Sequence, residues 1–162
     1  MTATVAAEFV VEAAGWPGEE ALERLLAPAL ATAAARAEPR AAALSLAIAF
    51  ADDDHVRALN RDFRGKDKPT NVLSFPAPPE ATPPGGPAFL GDVVLARETI
   101  TREAAEAGIP LEAHLVHLTV HGFLHLLGYD HQDDDDAERM EHLETAILAD
   151  LGLPDPHAPI DD

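Results

Sequence analysis

Residues 121–131 read HGFLHLLGYDH, and this stretch completes a longer apolar pattern that begins at Leu111. Leucine, valine and phenylalanine recur there at helical spacing, which predicts a central buried helix ending before Gly128. His121 and His125 are one turn apart, so their side chains share one face of that helix. Gly128 is expected to end the helix, because glycine readily adopts the left-handed backbone that turns a chain sharply.

The turn at Gly128 predicts a metal site, because it brings His131 back toward His121 and His125. Three neutral imidazoles leave one coordination position open, which is typical of a catalytic rather than a structural zinc site. A water in the open position has a pKa near 7 and supplies hydroxide at neutral pH. We therefore expect one Zn²⁺ per chain, although three imidazoles also accept other divalent metals.

The spacing HxxxHxxGxxH is also that of the zinc helix in metzincin proteases. Those enzymes carry a glutamate directly after the first histidine, where it serves as the general base. This chain has Gly122 at that position, and glycine cannot move a proton. The sequence therefore predicts a metalloprotease-like metal helix without the machinery for peptide hydrolysis.

Composition excludes several classes of protein. The 162 residues contain no cysteine, which rules out a disulfide scaffold, a thiolate zinc site and a cysteine nucleophile. No apolar run reaches the roughly 18–20 residues that a membrane span needs, and the N-terminus lacks the basic start of a signal peptide. We expect a cytoplasmic protein with no membrane partner.

Charge is distributed unevenly along the chain. The formal net charge is −18, so a general electrostatic attraction to nucleic acid is not expected. From Glu103 onward there are fifteen acids and a single base, Arg139. Residues 57–68, here called the basic segment, carry five bases and two acids, a net charge of +3. The bases are Arg57, Arg61, Arg64, Lys66 and Lys68.

Helical and strand patterns alternate along the chain and predict one α+β domain over residues 1–152, followed by a frayed acidic tail at 153–162. Pro28 is expected to kink or break the first helix, and Pro76 to stop the third strand. Strands are predicted at 9–11, 44–50, 72–75 and 90–96. Helices are predicted at 19–36, after an N-cap within 52–54, at 97–107, in the histidine region, and from 133–136 to about 151, with an exposed proline-rich loop at 76–87.

Three sequence blocks together resemble the YbeY family of endoribonucleases and ribosomal RNA maturation factors. The eleven residues 121–131 are similar to the family signature. A second block has LN at 59–60 and FRGKDKPTNVLSFP at 63–76, with Phe63 where the family commonly has tyrosine. A third block, LGD at 90–92, lies where the family has a Gly-Asp strand start. The resemblance spans roughly residues 45–150.

The resemblance implies a fold, an activity and a set of partners. The fold would be α+β, with a mixed four-stranded sheet and a zinc helix like that of the metzincins. The activity would be metal-dependent cleavage of single-stranded RNA, in maturation of the 16S ribosomal RNA 3′ end and in ribosome quality control. His121, His125 and His131 would bind the zinc, and Arg64 would be the functionally important arginine near it. Partners would be ribosomal RNA, small-subunit proteins and assembly factors.

Single residues keep alternative interpretations. Arg64 could bind a phosphate through its two-donor fork, or it could form a surface ion pair with Asp62 or Asp67. Asp92 could orient a ligand imidazole or cap a turn. His117 lies one turn before His121 and could contact the site or pack in the core.

Two other functions compete with RNA cleavage. One is a metal hydrolase acting on a small phosphoester or amide, and the other is a ribosome assembly factor or RNA chaperone with a structural zinc. Three predicted ligands rather than four argue against a purely structural zinc. The acidic surface also means that RNA affinity would depend on the basic segment and on a partner protein.

Overall fold

The computed structural model describes residues 3–130 and 133–156. It confirms an α+β domain in which a four-stranded mixed sheet packs against helices. The strands are β1 (Thr4–Val11), β2 (Ala43–Ala51), β3 (Val72–Pro76) and β4 (Ala88–Ala96). The helices are α1 (Glu19–Ala37), α2 (Asp53–Arg64), α3 (Arg97–Ala107), α4 (Leu111–Leu126) and α5 (Asp134–Asp150), with a 3₁₀ turn at Pro79–Ala81 in the proline-rich loop.

The strand order is β1-β2-β4-β3, so β3 forms one edge of the sheet. β2 pairs in parallel with both β1 and β4, whereas β3 pairs antiparallel with β4. Successive side chains of a strand point to opposite faces. In β4, Val93 and Leu95 accordingly join the main core, while Val94 and Ala96 join a smaller cluster on the other face.

The main core lies between the sheet and the helices α1, α4 and α5. α4 is buried along much of its length, as its apolar pattern predicts, and Phe123 and Leu124 are fully buried. α5 contributes Met140, Ile147 and Leu148 to the same core. α4, which carries the histidines, is thus held between α1, α5 and the sheet. This packing fixes the position of the residues at its C-terminal end.

The second face of the sheet is partly covered by α2. Val56 of α2 packs with Leu73, Val94 and Ala96, and Phe75 lies against this cluster. Asp52 is the N-cap of α2, as predicted, and its carboxylate accepts a hydrogen bond from the His55 amide at 2.8 Å. α2 ends at Arg64, at the edge formed by β3.

Several predicted boundaries were wrong. α1 runs through Pro28 without a break, because residues before and after the proline, such as Leu26 and Leu30, are anchored in the core. Pro76 ends β3 as its last paired residue instead of stopping the strand before it; a proline is tolerated there because β3 is an edge strand. β1 and β4 begin earlier than predicted.

The predicted domain boundary at residue 152 and the predicted frayed tail at 153–162 stay predictions. Leu153 packs against the main core, and its amide donates a hydrogen bond to the Leu148 carbonyl at 2.8 Å. Within the described ranges, no helix has the length and apolar character needed to cross a membrane.

Gly91 is expected to be required for the pairing of β3 with β4. Its φ is +131°, and a Cβ there would lie 2.1 Å from the carbonyl oxygen of Phe75. An added Cβ would strain the backbone and overpack the contact with β3, which carries part of the cleft described below. Gly91→Ala is therefore expected to lower the free energy of unfolding by about 3 kcal/mol. Urea unfolding measures the change.

Gly18→Ala is the matched control for this substitution. A Cβ at Gly18 meets no atom within 4 Å, so this variant should lose no more than about 1 kcal/mol, the cost of exchanging glycine for alanine at the N-cap of α1. A Gly91→Ala protein that unfolds at the wild-type urea concentration would contradict the role assigned to Gly91.

Candidate active site

A cleft of about 570 Å³ lies between the end of α2, the edge strand β3 and the C-terminal end of α4. It brings together three of the predicted site residues, Arg64, His121 and His125. Ser74 of β3 and Asp130 after α4 also line it. Residues from three parts of the sequence therefore meet in one concave site.

His121 and His125 have the geometry of two ligands of one metal ion. Their Nε2 atoms are 3.0 Å apart, and the ring centroids are separated by 4.5 Å. Two nitrogens bound to a tetrahedral zinc at about 2.0–2.1 Å are separated by roughly 3.3 Å. The pair therefore fits a zinc ion, and imidazole nitrogen is a suitable ligand for it.

Glu144 of α5 supports this pair from behind and was not predicted. Its carboxylate is 1 % exposed; Oε1 hydrogen-bonds with Nδ1 of His121, and Oε2 lies 3.6 Å from Nε2 of His117. Because a carboxylate only accepts, Nδ1 of His121 donates to it, which in the neutral imidazole leaves the lone pair on Nε2. Such carboxylate–histidine contacts orient metal-binding imidazoles in proteins.

The pKa of Glu144 reflects two opposing effects. Burial alone would raise it, because a charged carboxylate loses its hydration in the core. The contacts with His117 and His121 outweigh burial and hold the pKa well below its usual range. Glu144 is therefore a carboxylate throughout the neutral pH range and keeps the orientation of His121 constant.

The sequence did contain a signal for Glu144. The buried positions of α5 are Met140, Glu144, Ile147 and Leu148, which form one helical stripe. A single acid in an apolar stripe is rarely left without a partner in the core. That signal predicts a buried partner, but it does not identify which element provides it.

Gly128 adopts the left-handed backbone just after α4, as predicted. Its φ is +104°, and its amide donates a hydrogen bond to the His125 carbonyl at 3.0 Å. His131, the predicted third ligand, lies outside the described residues. Among residues 3–130 and 133–156, no group of three or more His, Cys, Asp or Glu side chains forms a candidate metal site.

Arg64 is the last residue of α2, and it lines the cleft. The acids proposed as its surface partners are paired with other arginines: Asp62 with Arg61 at 3.0 Å, and Asp67 with Arg57 at 2.8 Å. In the described part of the chain, Arg64 forms no ion pair. This arrangement favours an anionic ligand for Arg64 over a surface ion pair.

Gly122 has a packing role that the sequence did not indicate. A Cβ at this position would lie 2.9 Å from Cγ1 of Val93 and 3.2 Å from Oγ of Ser74. The Ser74 hydroxyl also donates a hydrogen bond to the Gly122 carbonyl at 3.2 Å. The glycine lets α4 approach the sheet closely, and a side chain there would point into the sheet.

The likeness of α4 to the metzincin zinc helix stays a prediction.

Asp92 does not orient a ligand imidazole. Val93 packs against α4, so by strand alternation its neighbour Asp92 points to the opposite face of the sheet. Asp92 is exposed there, and burial of part of the carboxyl together with the nearby charge of Glu8 raises its pKa. His117, by contrast, contacts the buried Glu144 carboxylate that supports His121, but it does not line the cleft.

A second cleft of about 530 Å³ lies on the other side of the 128–130 turn, and Arg40 and Arg139 line it. Neither His121 nor His125 lines it. The chemistry of the histidines and Arg64 therefore assigns the candidate site to the cleft beside β3.

Comparison with known proteins agrees with these features. The family model described as Endoribonuclease YbeY matches residues 16–152. Relatives named Endoribonuclease YbeY include one from Rhodopseudomonas palustris, 53 % identical over 152 residues, covering 93 % of this chain and 80 % of that protein. Another, from Rhizobium meliloti, is 55 % identical over 157 residues and covers 93 % of both chains.

A solved structure extends the comparison to the fold. The solution structure of a Thermotoga maritima protein superposes with a TM-score of 0.58 at 22 % identity, covering 95 % of this chain and 100 % of that one. This likeness concerns the fold alone. The family match over most of the chain, together with the identity to curated relatives, shows that the chain belongs to the YbeY endoribonuclease family.

Proposed function

We propose that this protein is a zinc-dependent endoribonuclease that cleaves single-stranded RNA. The observation that carries the proposal is a cleft lined by Arg64 and by two histidines whose Nε2 atoms are 3.0 Å apart. RNA cleavage requires an activated nucleophile and a positive group at the phosphate, where negative charge develops. The family membership of the chain supports the same reaction.

His121 and His125 would hold the zinc, with His131 as the expected third ligand. When bound there, the metal supplies Lewis-acid chemistry and lowers the pKa of a water molecule. Glu144 keeps the Nδ1 proton of His121 in place and thereby directs Nε2 toward the cleft. In activation of the nucleophile, the protein's own role is to position the histidines that would bind the metal.

Arg64 would bind the scissile phosphate. Its planar guanidinium can donate two parallel hydrogen bonds to phosphate oxygens, an interaction that strengthens as charge accumulates on them. Because Asp62 and Asp67 are paired with Arg61 and Arg57, neither of these neighbouring acids competes with the phosphate for Arg64.

We infer that the substrate is ribosomal RNA, at the 3′ end of 16S RNA, within ribosome maturation and quality control in the cytoplasm. The chain's net charge of −18 supports dependence on a partner, because an acidic surface repels free RNA outside the basic segment. We infer small-subunit proteins and assembly factors as the partners, because a basic protein would complement the acidic surface.

The decisive experiment compares zinc-loaded and metal-stripped protein on a single-stranded RNA substrate. We expect cleavage only by the zinc-loaded protein, while circular dichroism shows that both samples are folded. Loss of the fold on metal removal would favour a structural zinc in an assembly factor or RNA chaperone. Hydrolysis of a small phosphoester without cleavage of RNA would favour the other alternative.

Gly122→Glu is expected to yield no protease. The new side chain would be forced against Val93 and Ser74, so the free energy of unfolding should fall by about 1–3 kcal/mol. Neither this variant nor zinc-loaded wild type should cleave casein, because both lack a correctly placed general base. Thermal melting and a casein digestion assay measure these effects.

Metal-dependent digestion of casein by purified wild type would contradict this interpretation of Gly122. Thermolysin serves as the positive control for the assay, since it is a zinc protease with the glutamate in place.

A further inference from the structure

Phe63, in the last turn of α2, exposes 70 % of its surface. Among the large apolar residues that the structure describes, only Val11, at 38 %, is also exposed. The Phe63 ring makes an edge contact with Phe75, with centroids 5.4 Å apart and planes at 65°. This contact supports the ring on one side and leaves most of it open to solvent.

Unpaired cations follow Phe63 directly in the chain. Two of the five bases in the basic segment, Arg57 and Arg61, are paired with Asp67 and Asp62. In the described ranges Lys66 and Lys68, like Arg64, form no ion pair. An exposed aromatic ring beside unpaired cations is unusual on a chain whose net charge is −18.

Asn60 connects the segment that carries the two lysines to α2, the helix that carries Phe63. It is 1 % exposed; its carbonyl accepts from the Lys66 amide at 3.2 Å, and its side-chain Nδ2 donates to the Lys68 carbonyl at 2.8 Å. The backbone that carries Lys66 and Lys68 is thus fastened to the last turn of α2. We call Phe63, Lys66 and Lys68 the aromatic-basic patch.

The aromatic-basic patch lies at the rim of the candidate active site. Arg64, the residue after Phe63, lines the cleft. Phe75, which Phe63 contacts, stands in β3 between Ser74 and Pro76, which line the cleft. By strand alternation the Phe75 ring lies on the other face of the sheet, against the α2 cluster, so the Phe63 ring and the cleft lie on either side of the edge formed by β3. A polymer bound across the edge formed by β3 would therefore pass from Phe63 to Arg64.

We propose that the aromatic-basic patch binds a single strand of RNA next to the cleavage site, with one base stacked on Phe63 and phosphates contacted by Lys66 and Lys68. Stacking on an exposed ring accepts any base, and lysines follow the backbone without reading sequence. In a duplex each base is already stacked and paired, so it cannot reach the ring. The patch would thus give the cleft its preference for single strands, an inference that rests on RNA being the substrate.

The first test measures equilibrium binding of a 2′-O-methyl RNA of about 10 nucleotides, verified to stay intact, by fluorescence anisotropy. Phe63→Ala should weaken binding about tenfold, in the range found for stacking aromatics. Phe63→Leu should weaken it similarly although it retains apolar packing against Phe75, whereas Phe63→Trp should bind as wild type does. Val11→Ala is the matched control and should not change affinity.

The second test uses salt dependence and a base analogue. Lys66→Ala and Lys68→Ala should each reduce the slope of log affinity against log salt by about 0.7, with Arg24→Ala on α1 as the control. A 2-aminopurine in the RNA should lose fluorescence on binding wild type, as stacking requires, but not on binding Phe63→Leu. Affinity for a duplex of the same length should be equal in wild type and Phe63→Ala.

The outcomes separate this proposal from the proposed function. Single-strand affinity of Phe63→Ala and Phe63→Leu within about twofold of wild type would overturn it, and would point to a protein partner for the patch. Failure of wild type to bind single-stranded RNA at all would also overturn it. Binding that depends on Phe63 in a protein that cleaves no RNA would support the patch and contradict the endoribonuclease activity.

Discussion

His125→Ala is expected to remove stoichiometric zinc binding and RNA cleavage while leaving the protein folded. The side chain lines the cleft and is partly exposed, so its removal opens no cavity in the core. Loss of groups that only orient a ligand lowers metal affinity about 10–100-fold, and loss of a ligand itself should exceed that. Elemental analysis after zinc loading and a competition titration with a chelator measure the affinity.

His125 is a better choice than His121 for this experiment. His121 also hydrogen-bonds Glu144, and its removal would leave a buried carboxylate short of a partner, with a large cost in stability. The matched control is His142→Ala on α5, where the imidazole is 78 % exposed and faces Glu138. Retention of stoichiometric zinc by folded His125→Ala would remove this residue from the metal site.

The part of the site that could be predicted from sequence depends on local geometry. His121 and His125 share a helix, so their spacing of four residues places them together whatever surrounds the helix. Gly128 could be predicted for the same reason, since the end of a helix needs a residue that tolerates positive φ. These predictions required the period of one helix and no knowledge of the sheet.

Glu144 shows where local reasoning ends. It lies 23 residues after His121 and reaches it only because α5 packs beside α4. The pairing of helices follows from how the whole core closes, and no spacing in the sequence encodes it. The buried acid was visible as an interruption of an apolar stripe, but its partner was not.

The surroundings of Asp92 and Arg64 also depend on tertiary packing that could not be predicted from local sequence. The position of Asp92 relative to the histidines depends on which face of β4 meets α4, and one residue's shift reverses that face. The ion pairs in the basic segment were likewise undetermined, because Asp62 and Asp67 each have several arginines within reach. The structure assigns them to Arg61 and Arg57 and leaves Arg64 on the cleft.

Arg64→Ala is expected to reduce RNA cleavage about 10²–10³-fold, with zinc content and melting temperature nearly unchanged. Removal of one donor that stabilises charge in a transition state typically costs this much in rate. Stability should change little, because Arg64 is exposed and forms no ion pair among the described residues. Single-turnover cleavage at matched zinc occupancy isolates the chemical step from binding.

Two further variants separate charge from geometry at this position. Arg64→Lys should recover only part of the rate, because lysine keeps the charge but loses the planar fork that binds two phosphate oxygens at once. Arg36→Ala is the control: this arginine of α1 pairs with Asp150 on the surface and does not line the cleft, so its loss should leave the melting temperature nearly unchanged and cleavage within about twofold. If Arg64→Ala also cleaves within about twofold of wild type, Arg64 does not contact the scissile phosphate, and the positive charge required there must come from another residue.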